Sequence, residues 1–365
     1  MKYAILITQN CNLSCSYCFI SKKNITMDLA TARKTIDFIF NQTPPNERID
    51  IGFFGGEPLL EFAQLKEINA LFENHPEFKK RNIEIQIISN GTIFSNEIAE
   101  FLIDKKIGFG LSCDGIPAVQ DTCRKTEKGI GMSDKILKNI QKAINKLPNV
   151  MVNAVFTPLT LGYLAESLEY LYSLGFRKIY LNPDFRSNWT IANVENLRIE
   201  LKKIAELYIK WHCENKPAYV SILDGKIGVI LNKGYKPNER CQMGKKEFAI
   251  TPEGNIFPCE RLVENGDINN SHCIGNIYQG IKHSQLLCSK HINKHNNLPC
   301  KECSFKKYCM NWCGCSNYFS TGYYNQIGPF ICAFEKATME LASFAFQQLE
   351  SKYGMEIIMK MQLLN

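Results

Sequence analysis

From residue 1 to about residue 215 the chain alternates two kinds of segment, and this alternation constrains the fold more than any other feature. Residues 3–8, 49–54, 83–88, 107–112, 150–156 and 178–181 are short, apolar and rich in β-branched or aromatic side chains, as strands are. Between them, residues 28–41, 59–72, 95–105, 134–146 and 161–174 are amphipathic at helical spacing. A crossover helix returns the chain to start each strand in the same direction, so such a series gives parallel strands with helices outside. Six units predict an α/β fold, a partial (β/α)6 TIM-like barrel, with its chemistry at the C-terminal ends of the strands. Residues 193–213 read as a long helix leading out of the barrel, and Lys216-Pro217-Ala218 as a boundary. The expected domains are a barrel over 1–215, a cysteine-rich domain over 216–332 and a C-terminal helical segment over 333–365 with an amphipathic helix at 337–353.

Sixteen cysteines in 365 residues are the abnormal number in the composition. Apolar content of 45% and charged content of 22% are those of a globular protein with ample core material. The net charge of +7 is mild and the signs are interspersed, so no nucleic-acid-binding patch is expected. No apolar run approaches the ~18 residues of a membrane span. Met1 leads directly into the first strand without a secretory signal, so the expected compartment is the cytoplasm. There, cysteines in number point to metal rather than to disulfides.

They fall into two sets. Cys11, Cys15 and Cys18 form C-x3-C-x2-C just after the first strand. Three thiolates on one loop can hold three corners of a four-iron cluster and leave the fourth to a ligand that is not protein. Zinc, the alternative, prefers four closed ligands, and no fourth Cys or His is close in sequence. The second set is Cys241-x12-Gly254-x4-Cys259, then Cys300-x2-Cys303-x5-Cys309-x3-Cys313, then Cys332. Residues 248–259 read as strand, turn and strand around Pro252-Glu253-Gly254-Asn255, a hairpin that would bring its ends near Cys241.

Both sets resemble a known family. The first is similar to the cluster loop of radical S-adenosylmethionine (SAM) enzymes, and the second resembles the SPASM domain of their peptide-modifying members. The resemblance implies that the open iron binds the amino and carboxylate groups of SAM, and that one electron then cleaves SAM to a 5′-deoxyadenosyl radical. Gly55, Gly56, Glu57 and Pro58 match the family's GGEP element beside the SAM amino group. By itself the same stretch is a βα turn with Pro at a helix start. Ser89 in Ser89-Asn90-Gly91-Thr92 matches an element near SAM. Ser112 and Asp114 match S-x-D-G and are expected at the ribose hydroxyls. Arg124 follows Asp121 in the family's spacing and is expected at the SAM carboxylate. Tyr17 and Asn153 are further expected SAM contacts.

In the SPASM-like region the resemblance implies two auxiliary [4Fe-4S] clusters, making three in all. Cys300, Cys303, Cys309 and Cys332 would hold the distal one; Cys241, Cys259 and Cys313 the proximal one. The fourth proximal ligand is open between an unligated iron, Cys213, Cys273, Cys288 and Cys315. Glu260 stands where sulfatase-maturing relatives carry an Asp suggested as base; its other reading is a surface Glu paired with Arg261. The implied function is maturation of a ribosomally made precursor peptide by a thioether or carbon–carbon crosslink. Sulfatase maturation to formylglycine is the alternative within the family, and a zinc-structured binding protein the alternative outside it. Expected partners are the precursor peptide, a separate leader-recognition protein and a flavodoxin- or ferredoxin-type electron donor, with no nucleic acid and no membrane.

Overall fold

The computed structural model describes residues 1–282, 291–293 and 298–354. In chain order the elements are β1 (Lys2–Thr8), α1 (Leu29–Gln42), β2 (Ile49–Gly55), α2 (Phe62–Asn74), β3 (Ile83–Ser89), α3 (Asn96–Asp104), β4 (Gly108–Ser112), α4 (Pro117–Cys123), α5 (Ser133–Lys146), β5 (Met151–Phe156), α6 (Leu164–Ser173), β6 (Lys178–Pro183), α7 (Ile191–Cys213), β7 (Tyr219–Val220) and α8 (Ser221–Leu231). They continue as β8 (Glu247–Ile250), β9 (Asn255–Phe257), β10 (Gly275–Asn276), β11 (Gly280–Ile281), α9 (Leu298–Lys301), α10 (Gly314–Thr321) and α11 (Pro329–Tyr353). The α/β class and the six strands of the N-terminal series are as the sequence predicts.

Local chemistry explains several boundaries. Asp28 caps α1 by accepting from the Thr31 amide at 2.6 Å, and Thr190 with Asn193 forms a capping box on α7. The segments expected as helices from residues 59 and 161 each begin with a 3-10 turn, Pro58–Glu61 and Leu161–Tyr163. The last helix starts at Pro329, earlier than expected, because proline is tolerated in a first turn and Phe330, Ile331 and Phe334 extend its buried stripe. Cys288 and residues 355–365, the end of the expected C-terminal segment, lie outside the described residues.

The chain forms two compact units. The first contains Met1–Gly110, Arg124–Asn139 and Cys241–Ile292; the second contains Leu111–Cys123, Ile140–Arg240 and the chain from Asn293 on. In the first, strand order is β11-β10-β9-β8-β1-β2-β3. β1 pairs in parallel with β2 on one side and β8 on the other, and β8, β9, β10 and β11 continue antiparallel. The hairpin expected around residues 248–259 is therefore present, with Gly254 at φ +81 in its turn, and it extends the sheet beside β1. Leu6, Ile20, Ala249, Phe257, Val263 and Cys273 share one core there. In the second unit β5, β6 and β7 are parallel. Among the described residues no helix is long and apolar enough to cross a membrane.

Candidate cluster and cofactor site

The loop carrying Cys11, Cys15 and Cys18 leaves the C-terminal end of β1 and is bound back to it. The Gln9 amide donates to the Ile25 carbonyl at 3.0 Å, and Thr8 Oγ1 donates to the same carbonyl at 2.8 Å. Inside the loop the Cys18 amide donates to the Cys15 carbonyl at 3.1 Å. The turn after β2 docks on it: Gly56 N–H donates to Thr8 O at 2.8 Å, and Glu57 N–H to Asn10 O at 2.9 Å. This approach is possible only without side chains. A Cβ on Gly55 would lie 2.1 Å from Thr8 O, one on Gly56 2.1 Å from Asn10 O, and Gly55 sits at φ +136.

The Glu57 side chain turns inward. Fully buried, its carboxylate accepts from the Asn90 amide (2.6 Å), Ser89 Oγ (2.9 Å) and the Leu59 amide (3.0 Å). Burial raises its pKa to about 7, with these three donors opposing. Ser89 Oγ, expected beside SAM, also accepts from Gly91 N–H at 3.1 Å. Glu57 and Ser89 thus tie the β2 turn to the end of β3, and Pro58 opens the buried 3-10 turn that follows.

The turn at β3 reaches the first cysteine. Asn90 Nδ2 donates to Cys11 Sγ at 3.7 Å and to Asn12 Oδ1 at 2.9 Å. Asn90 Oδ1 accepts from Thr92 N–H (2.9 Å) and Thr92 Oγ1 (2.6 Å), and Asn12 Nδ2 donates to Thr92 Oγ1 at 2.8 Å. The Leu13 amide is a second donor to Cys11 Sγ, at 3.4 Å. Burial pushes the Cys11 thiol up, and the Leu13 N–H opposes that shift. Sequence reasoning missed Asn12, Asn90 and Thr92 as a group; the only signal was that Asn90 and Thr92 flank the Gly of the same turn.

Arg124, buried, places its guanidinium over the Tyr17 ring, 5.3 Å from the centroid. The adjoining Lys125 carbonyl accepts from Ser14 N–H at 2.6 Å, so this segment lies on the cysteine loop. Ser112, Asp114 and Asn153 belong to the second unit. Asp114 is buried; its Oδ1 accepts from Val155 N–H at 2.9 Å, and its own amide donates to Gln120 Oε1 at 2.7 Å. Ser112 ends β4 half-buried, and half-buried Asn153 stands on β5, its carbonyl accepting from the Cys113 amide at 3.1 Å.

In the first unit the hairpin ends do approach Cys241. Its thiol donates to Glu247 Oε2 at 3.6 Å, and Gly244 N–H donates to Pro258 O at 3.2 Å. Cys259 Sγ lies 3.7 Å from Glu260 Oε2. Cys273 donates to Gly275 O at 3.2 Å within the apolar core. In the second unit Cys313 and Cys315 have their sulfurs 3.7 Å apart, while Cys213 ends α7 beside Lys352. Cys300, Cys309 and Cys332 pack with Ile327, Ile331 and Phe185. Burial raises the Cys300 pKa, with the neighbouring Cys332 and Cys303 adding to it. Burial, then the Glu335 carboxylate, pushes Cys309 well up. Glu335 forms a buried ion pair with Lys226 at 2.6 Å and accepts from the Met310 amide at 2.6 Å. Of the aromatic residues near these cysteines, Tyr318 packs on Phe319 and Tyr324, whereas Phe330 stacks on Trp189.

Among the described residues no three His, Cys, Asp or Glu side chains are gathered closely enough to hold a metal ion as they stand. The donor set is what fits: three thiols on one loop, one with two N–H groups on its sulfur, suit three-point ligation of a four-iron cluster.

The Radical SAM superfamily matches residues 5–171. An uncharacterized protein of Methanocaldococcus jannaschii is 33% identical over 287 residues, covering 76% of this chain and 89% of that one. A cysteine-type anaerobic sulfatase-maturating enzyme of Clostridium novyi is 23% identical over 331 residues, 84% and 85% of the two chains. The solved structure of native anSMEcpe with bound AdoMet and Cp18Cys peptide superposes with a TM-score of 0.76 at 19% identity, covering 96% of this chain and 99% of the other. Streptococcus suis SuiB bound to precursor peptide SuiA follows at 0.61 and 14%, covering 91% and 75%.

Proposed function

We infer that this chain, which belongs to the radical SAM superfamily, is a peptide maturase that installs a thioether or carbon–carbon crosslink in a ribosomally made precursor. The radical chemistry of this reading is supported by the cysteine loop locked onto the Gly55-Gly56 turn, with backbone amides and polar side chains converging behind Cys11; the crosslink is the proposed outcome of that chemistry. A [4Fe-4S] cluster with bound SAM supplies, on one-electron reduction, a carbon radical able to take a hydrogen atom from an unactivated side chain or α-carbon. Cys11, Cys15 and Cys18 would hold that cluster. Tyr17, the backbone carbonyls of the Gly55–Pro58 turn and Arg124 would position SAM from the first unit, the carbonyls because the SAM amino group can only donate; Ser112, Asp114 and Asn153 are proposed contacts from the second. Glu57 and Ser89 would act by shaping the turn rather than by touching SAM.

A crosslink removes two hydrogens from the peptide, and the second leaves as a proton and an electron. Glu260, beside Cys259, is the proposed proton acceptor. Cys300, Cys303, Cys309 and Cys332, with Cys241, Cys259 and Cys313, would hold two auxiliary clusters able to take the electron. Cys315 is the favoured candidate for an additional proximal ligand because its sulfur neighbours that of Cys313. A precursor peptide and a small one-electron donor protein are the partners this requires.

A second reading is supported by the similarity to the sulfatase-maturating enzyme along 84% of this chain: oxidation of a Cys or Ser side chain to formylglycine. Mass spectrometry of a small peptide encoded beside the gene, coexpressed anaerobically with the enzyme, separates the two. A crosslink removes two hydrogens, retains all sulfur and leaves no aldehyde. A product that reacts with a hydrazide probe would overturn the crosslink in favour of formylglycine.

A further inference from the structure

We propose that Asn90 is a positioning residue for the Cys11 corner of the N-terminal cluster, and that its N–H···S bond keeps the reduction potential of that cluster from falling. The inference rests on family membership and the cysteine loop, and it is independent of which bond the enzyme makes.

The orientation of the Asn90 amide follows from chemistry. The Thr92 backbone N–H can only donate, so the Asn90 atom that faces it at 2.9 Å is the carbonyl Oδ1. The NH2 group therefore faces the other way, and its two hydrogens meet Cys11 Sγ and Asn12 Oδ1. Asn12 Nδ2 returns to Thr92 Oγ1, which itself donates to Asn90 Oδ1, so three side chains close a ring. Asn90 and Thr92 are buried, which makes the arrangement costly to break. The ring is anchored from below by Glu57, whose carboxylate takes the Asn90 amide and the Ser89 hydroxyl. The buried GGEP carboxylate thus sets the turn, the turn sets the Asn90 side chain, and Asn90 presents a donor to the ligand atom.

Hydrogen bonds to cluster sulfurs favour the more negatively charged, reduced form and raise the potential. The Leu13 amide also donates to Cys11 Sγ but belongs to the loop backbone, so side-chain substitution leaves it in place. Asn90 is the adjustable donor.

The test is a potentiometric titration of the reconstituted full-length protein, followed by electron paramagnetic resonance of the signal that SAM perturbs, which separates this cluster from any auxiliary one. Asn90→Leu keeps the branching and heavy-atom count of the side chain and removes the donor; its midpoint should move to more negative potential at unchanged iron content. Thr92→Val leaves Asn90 in place but loosens it, and should give a smaller shift of the same sign. The double variant should shift no further than Asn90→Leu. An unmoved midpoint in Asn90→Leu with the SAM-responsive signal intact would overturn the proposal. If that variant forms no cluster, Thr92→Val decides by the same criterion. Absence of any SAM-responsive signal in the native protein is a separate result, which removes the cluster premise and this inference with it.

Discussion

At the N-terminal loop the sulfur of Cys11 meets the N–H groups of Leu13 and Asn90; around Cys300, Cys309 and Cys332 the packing partners are Ile327, Ile331 and Phe185, and one amide, that of Asn311, reaches Cys309. One kind of atom, a cysteine sulfur, is thus set in two environments. Polar hydrogens on a sulfur stabilise added negative charge, and apolar burial opposes it. The first arrangement suits an iron that must face a charged cofactor. The second would suit the proposed auxiliary cluster, kept from water and passing electrons. The second region also carries a buried charge pair, Lys226 with Glu335, next to Cys309, where the first relies on neutral amides and one buried carboxylate.

Substitutions in the two regions test this difference. Cys303→Ala should have the largest effect on peptide product, abolishing it while SAM cleavage continues; loss of cleavage as well would mean that the two cysteine sets do not divide the work. Lys226→Met leaves Glu335 buried without its cation and should cost about 3–5 kcal/mol in denaturant unfolding. Replacing both partners together, as Lys226→Met with Glu335→Gln, should cost less than Lys226→Met alone. Glu57→Gln tests the buried carboxylate. The folded pKa of Glu57, about 7, lies above its ordinary value of 4.5. Its contribution is therefore fully present below about pH 4.5 and lost as pH rises through about 7, by up to about 3 kcal/mol. The native protein should lose stability relative to Glu57→Gln across that window, and parallel pH profiles would contradict the assignment. Gly56→Ala should cost about 1–3 kcal/mol, because its Cβ meets the Asn10 carbonyl; Gly162→Ala, where nothing lies within 4 Å, is the control.

What could be read from the chain depended on how local each cause is. The strands of the N-terminal series announce themselves by short apolar runs, and the β8–β9 hairpin by the Gly254 turn. α8 escaped notice because Gly225 and Gly228 weaken its helical signal and its apolar residues lie around more than one face. The parallel pairing of β8 with β1 joins residues far apart in sequence, and no local pattern encodes such a pairing. The same holds for the candidate site. Cysteine spacing and the Gly55-Gly56 pair were legible because metal ligation and close backbone approach demand particular residue types. The Asn90 contact to Cys11 spans 79 residues, and the inward turn of Glu57 depends on Ser89 and Asn90 at the end of β3 as well as on the nearby Leu59 amide. Motif matching marks Glu57 and Ser89 as residues of the site; only their hydrogen bonds show that both side chains face the turn.

Cys11, Cys15 and Cys18 are proposed to hold a cluster that cleaves SAM. Anaerobically reconstituted, dithionite-reduced protein incubated with SAM and analysed for 5′-deoxyadenosine tests it most directly, with Cys15→Ala alongside. The native protein should yield 5′-deoxyadenosine and Cys15→Ala none, even where that variant retains iron bound elsewhere. Equal 5′-deoxyadenosine from both would contradict it.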